Sequence, residues 1–249
     1  MIMNILYVIT FAALVLVTSI SNSNAEMPKD ALATPQVTYD KKQLRSLLRN
    51  YVLEAYKDSK GVHIESVLSA LGSLSGFAVQ EGLRQKLVIE SGQPESKIFF
   101  IVKTKNNEVF YFGPIFDQFL TGIKQGNFSV WTIVAEGAVK AGATKLPDIN
   151  LIAKENAERI GLASYGVPDA ISGHPVKDLP LVALQKHWIK VREILEFNKV
   201  EPIYWGWEIA YVAQGLILEG KDIIPPHIAA EIVMEAAIPM SKIDPKRIL

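Results

Sequence analysis

The chain has no cysteine among its 249 residues, which excludes disulfides, thiolate metal sites and a cysteine nucleophile. It also lacks a charge excess. Lys and Arg together number 26, as do Asp and Glu, so neither the basic footprint of a nucleic-acid binder nor an acidic solvating tail is present. Several motifs are missing as well: a Walker loop, G-x-G-x-x-G, H-E-x-x-H and S-x-x-K. Each of these absences lowers the weight of one well-known enzyme class without excluding catalysis. No internal repeat or low-complexity tract occurs.

What is present is apolar. Hydrophobic residues make up 49% of the chain, enough for a sizeable core. "ILYVITFAALVLVTSI", Ile5 to Ile20, is an uncharged run followed by "SNSNAE". It reads as a leader (residues 1–25) cut after Ala25 and is short for a membrane span, which needs about 20 apolar residues. The preceding "MIMN" has no Lys or Arg, which keeps two alternatives open: translation from Met27, or an uncleaved anchor. Export to the periplasm or medium follows from the first reading and a cytoplasmic chain from the second. Residues 26–40, Pro-containing and aperiodic, read as a linker.

Beyond the linker, residues 41–249 read as a single helical domain. Leu44, Leu47, Leu48, Tyr51, Val52 and Ala55 recur at helical spacing, with basic residues opposite. In "GVHIESVLSALGSLSGFAVQ", Gly61 to Gln80, Ile64, Val67, Leu68, Leu71, Leu74 and Ala78 form one stripe. Glu65, Ser69, Gly72 and Gly76 form a second stripe of mostly small residues, which suits close helix–helix approach. A helical glycine costs about 1 kcal/mol against alanine, so two on one face imply a packing reason. "KIFFIVKTKNNEVFYFG", about 97–113, predicts a β-hairpin turning at "KNNE". Helices are expected at about 115–124, 129–141 and 148–160. Residues 161–179 form a long Gly/Pro-rich loop, a length usually functional or linking. Three more helices follow, opened by Pro180, Pro202 and the Pro225–Pro226 pair. The predicted class is therefore mainly α (α+β), a multi-helix domain with one small antiparallel β-hairpin.

Three of these stretches, "GVHIESVLSALGSLSGFAVQ", "SGHPVKDLP" and "EIVMEAAIPMSKIDP", resemble an uncharacterised family of bacterial proteins, over a span running from about Lys41 onward. The family carries no assigned activity, so the resemblance implies no catalytic residues. It does imply a start near the first helix, without a leader.

Candidate site residues are His63, Glu65, His174, Trp205, Trp207, His227 and Glu231. His227, Glu231 and Glu235 share a helix face, but His227 and Glu235 would stand about 12 Å apart along the axis, too far for one ion. No metal or other cofactor is expected there; Glu65 and His187 are the only further donors worth naming. His63 and Glu65, at i and i+2, would not face each other on a helix; His63 reads rather as an entry or cap residue, with Glu65 favoured by the N-terminal dipole. Trp205 and Trp207 cannot both enter one core, so one must face another helix, a pocket or a partner. His174, in the long loop, could act as acid or base. The expected function is a non-catalytic binding or interaction module for a protein or small molecule, with homodimerisation among the expectations. Membrane contact is expected only through an uncleaved leader. The alternative is a small-molecule enzyme or metal-dependent hydrolase using the 161–179 loop and the last helix.

Overall fold

The computed structural model describes residues 39–122, 128–168 and 174–248. The leader and most of the linker, residues 1–38, lie outside the described residues, as does the middle of the long loop. The chain runs α1 (Lys41–Ala55), β1 (Lys57–Asp58), β2 (Gly61–Val62), α2 (Ile64–Leu83), a π-helical stretch (Arg84–Glu90), α3 (Glu95–Ile98), β3 (Phe100–Lys103) and β4 (Val109–Phe112). It continues through α4 (Pro114–Leu120), α5 (Val130–Lys140), α6 (Ile149–Glu158), α7 (Pro180–Phe197), α8 (Trp205–Glu219) and α9 (Pro226–Met240). The fold is mainly α with one small antiparallel hairpin, as the periodicity predicts; β1 and β2 add a two-residue ladder.

The organising element is α2. Every residue from Ser66 to Leu83 is buried, so the two stripes seen in the sequence face different neighbours rather than core and solvent. Helices α9, α8, α7 and α1 surround it. A Cβ on Gly72 would come closer than 3.0 Å to the Val233 carbonyl, and one on Gly76 equally close to that of Ala237. The two contacts share one sequence offset, so α2 and α9 run parallel with their backbones touching. Gly206 brings α8 against Val79 and the Ser75 carbonyl, and the Ser75 hydroxyl donates to the Gly206 carbonyl at 2.7 Å. No helix among the described residues is long and apolar enough to cross a membrane. The serines and glycines that permit close packing also lower the hydropathy of α2.

Around this axis the amphipathic pattern holds with exceptions. Leu44, Leu48 and Val52 of α1 are buried, while Leu47 of the same predicted stripe is 43% exposed. Pro114, Pro180 and Pro226 open α4, α7 and α9, where a missing N–H costs nothing. Pro239 sits in the last turn of α9, and the helix ends at Met240. The hairpin lies on the helical body: Phe110 bridges to Ile243, and the Tyr111 amide donates to the Lys242 carbonyl at 2.8 Å. Gln80 of α2 donates to the Ile243 carbonyl at 3.0 Å, so this segment joins hairpin and central helix.

One chemical change should have opposite signs at two glycines. Gly76→Ala forces α2 and α9 apart and should cost about 1–3 kcal/mol or more. A Cβ on Gly215 of α8 meets open space, so Gly215→Ala should stabilise by about 0.4–1 kcal/mol. Urea unfolding of both variants measures the difference.

Candidate functional site

The structure joins three of the candidate residues at the N-terminus of α2. His63 occupies the N-cap position with extended backbone, so it stands outside the helix. This is the entry position expected for it, and there the i, i+2 rule for helical residues does not apply: its Nδ1 lies 3.6 Å from Glu65 Oε2. The other carboxylate oxygen lies 3.1 Å from His174 Nδ1, across 109 residues of sequence. Helix N-termini favour a carboxylate, which gives Glu65 a local reason to be there.

The surrounding groups pin down the end of the long loop. The Lys177 amide donates to Ser66 Oγ at 2.8 Å, and its ammonium pairs with Asp58 of β1 at 2.6 Å. Lys186 holds Asp178 at 2.6 Å, and the Tyr56 hydroxyl donates to the same carboxylate at 3.2 Å. Burial, then the Asp178 charge, pushes the Tyr56 hydroxyl above its ordinary range. The Tyr51 hydroxyl meets His187 Nδ1 at 3.0 Å, and both tyrosine rings stand edge-on to that imidazole. Sequence reading missed Ser66, Lys177 and Asp178; "HPVKD" held the signal of the last two only as a polar end to a loop.

This cluster has the residue types of a serine hydrolase but not the arrangement. Ser66 Oγ lies 2.9 Å from His63 Nδ1, the same nitrogen that faces Glu65. A general base needs its two nitrogens divided between nucleophile and carboxylate. Ser66 is 1% exposed, and its oxygen already accepts from the Lys177 amide. The network is built to hold the 174–178 strap against α1, β1 and α2.

The remaining candidates stand apart. His227 and Glu231 are partly buried on α9, and among the described residues no hydrogen bond or ion pair connects them to His63, Glu65 or His174. No group of three His, Asp or Glu side chains able to hold a metal ion occurs among the described residues. Trp205 is 3% exposed, sits beside Trp188, and donates its indole N–H to the Val200 carbonyl at 2.9 Å. Trp207 points away from it and is half-buried. Its ring stacks on Phe119 at 5.2 Å between centroids, with Tyr204 at 5.3 Å and Phe128 at 6.4 Å. The Trp207 indole N–H donates to the Phe119 carbonyl at 3.2 Å, which fixes the ring, and Phe128 is 62% exposed. A separate open cleft of about 300 Å³ has Glu90, Arg192, Glu196, Lys199 and Trp205 among its lining residues. Arg192 and Glu196, one turn apart on α7, pair with each other at 2.7 Å.

Acidification should loosen the strap's neighbourhood. Burial lowers the His187 pKa, Asp178 opposes that shift and Lys186 adds to it. The folded state therefore favours neutral imidazole. The stability from this group is complete above the unfolded value, about 6.5, and is lost as pH falls through the lower folded value. Urea unfolding between pH 7 and pH 5 should show a shallower loss in His187→Gln, which keeps an acceptor for Tyr51 but does not titrate.

No family model, no curated protein and no solved structure matches this chain.

Proposed function

We propose that the protein is a non-catalytic binding module whose recognition surface is the aromatic face of α8 and the adjoining Phe128. The observation that carries this reading is the Trp207 stack. A tryptophan is held rigidly by its indole hydrogen bond and backed by a buried phenylalanine, with Tyr204 and an exposed Phe128 beside it. Rigid aromatic rings give large contact area at small entropic cost, and binding energy concentrates on them. The small-residue stripe of α2 serves internal packing and offers no surface to a partner. The hydrolase alternative draws on the His174–Glu65 pair, but the hydroxyl beside it is buried and already engaged.

Peptides selected from a random display library against the wild-type chain should converge on apolar sequences. Their affinity should fall about tenfold or more, at least 1.4 kcal/mol, in a Trp207→Ala chain that still unfolds cooperatively. Selected peptides that bind this variant equally well would contradict the reading. So would ester or phosphoester hydrolysis that disappears in Glu65→Gln, which would promote the hydrolase instead.

A further inference from the structure

The β3–β4 hairpin is covered along one edge and open along the other. On β4, the Tyr111 amide donates to the Lys242 carbonyl at 2.8 Å and Phe110 bridges to Ile243, so the segment after α9 takes that edge. The register sets Ile101 opposite Tyr111 and Lys103 opposite Val109. In an antiparallel ladder, residues directly opposite either exchange both backbone bonds or both turn them away. Tyr111 turns its N–H away from β3, so Ile101 turns its N–H and C=O away from β4. Lys103, two residues on, does the same. Thr104 fits the alternation, because its amide donates inward to the Glu108 carbonyl at 2.9 Å. Among the described residues, no backbone group outside the hairpin pairs with Ile101 or Lys103.

An open edge can pair with any extended chain, and strands commonly blunt it with charge or proline. In β3 only Lys103 is charged. Phe100 and Ile101 are 43% and 47% exposed, and as neighbours in a strand they lie on opposite faces of the hairpin. An added strand would therefore cover apolar surface on both faces while pairing the free backbone groups.

The charge along this edge has one sign. Lys97 precedes β3 and Lys105 follows it; with Lys103, all are exposed, and none forms an ion pair among the described residues. The neighbouring carboxylates are engaged elsewhere, Glu95 by Arg84 and Glu108 by Arg247. A second copy of β3 would bring its own lysines against these, and like charges across a strand pair are destabilising. An acidic strand would meet them with the opposite sign.

We propose that the outer edge of β3, Phe100–Lys103, takes up an extended, acidic segment of a protein partner by strand addition. Its backbone pairs with Ile101 and Lys103, and its carboxylates stand beside the lysines. This surface shares no residue with the aromatic face of α8.

The probe is a fluorescein-labelled peptide of alternating valine and threonine with aspartates at both ends; its control carries lysines in their place. Anisotropy should show the acidic peptide binding the wild-type chain about tenfold or more tighter than the basic one. Lys97→Glu, Lys103→Glu and Lys105→Glu, made together on the surface, should reverse that order. Ile101→Pro removes a donor that the hairpin does not use and should weaken the acidic peptide by a similar factor. With peptide bound, the amides of Ile101 and Lys103 should exchange more slowly, while that of Val102, already in the ladder, should not change. Trp207→Ala should bind the acidic peptide as wild type does, so failure at this edge and failure of the α8 surface are separately visible. The inference is overturned if the acidic peptide does not bind at about 1 mM, binds the charge-reversed chain as tightly, or protects only amides elsewhere. Binding lost in Trp207→Ala would also overturn it by moving the peptide to α8. So would a wild-type dimer broken by Ile101→Pro, which would give the edge to a second copy.

Discussion

Backbone contact between α2 and α9 is the constraint on which the other placements depend. Gly72 and Gly76 lie against the carbonyls of Val233 and Ala237, and no side chain larger than hydrogen fits at either position. Two parallel helices in contact at this range leave room for other helices to close around α2, and burial is complete from Ser66 to Leu83. Gly82 repeats the arrangement against the Pro202 carbonyl and Gly206 against Ser75, so the turn into α8 is drawn onto the same axis. Dispersion and burial at such contacts outweigh the intrinsic helix cost of each glycine, about 1 kcal/mol.

A helix buried over this length leaves ionisable chemistry to its ends. At the N-terminus, Glu65 gathers two imidazoles, and Ser66 takes the Lys177 amide. At the C-terminus, burial raises the Glu81 pKa against the pull of Arg84, which also pairs with Glu95 and covers the rings of Phe99 and Tyr111. Both ends act as fasteners, one for the 174–178 strap and one for the hairpin. Helix α8 divides its faces in a related way. Gly206 turns toward α2 while Trp207, the next residue, turns outward to Phe119 and Phe128. The recognition surface proposed for α8 is thus a consequence of the glycine contact beside it.

Local chemistry made much of this legible. The stripe Ser69, Gly72 and Gly76 announced a close contact, because nothing else justifies two glycines on one helical face; that α9 would fill it was not readable, since Val233 and Ala237 are ordinary helix residues. The hairpin and the proline-opened helices follow from turn and propensity rules acting over a few residues. His174 meeting Glu65 depends on the return of a long loop, and no local pattern encodes that distance. His63 was legible as a helix-entry residue; its contact with Glu65 was not, because the i, i+2 rule holds only for residues inside the helix. Lys242, buried between Phe112 and Phe116 with Asp117 at 3.7 Å, gave no signal, since a lysine after a helix end usually reads as solvated.

Native-state hydrogen exchange, residue by residue, tests the central claim most directly. If α2 is the axis on which the other helices close, the amides from Leu68 to Val79 exchange only when the whole domain unfolds, with a free energy equal to that from denaturant unfolding. The facing amides of α9, around Val233 and Ala237, should match them. Exchange of α2 through a smaller opening, while α5 or α7 stays protected, would contradict the account.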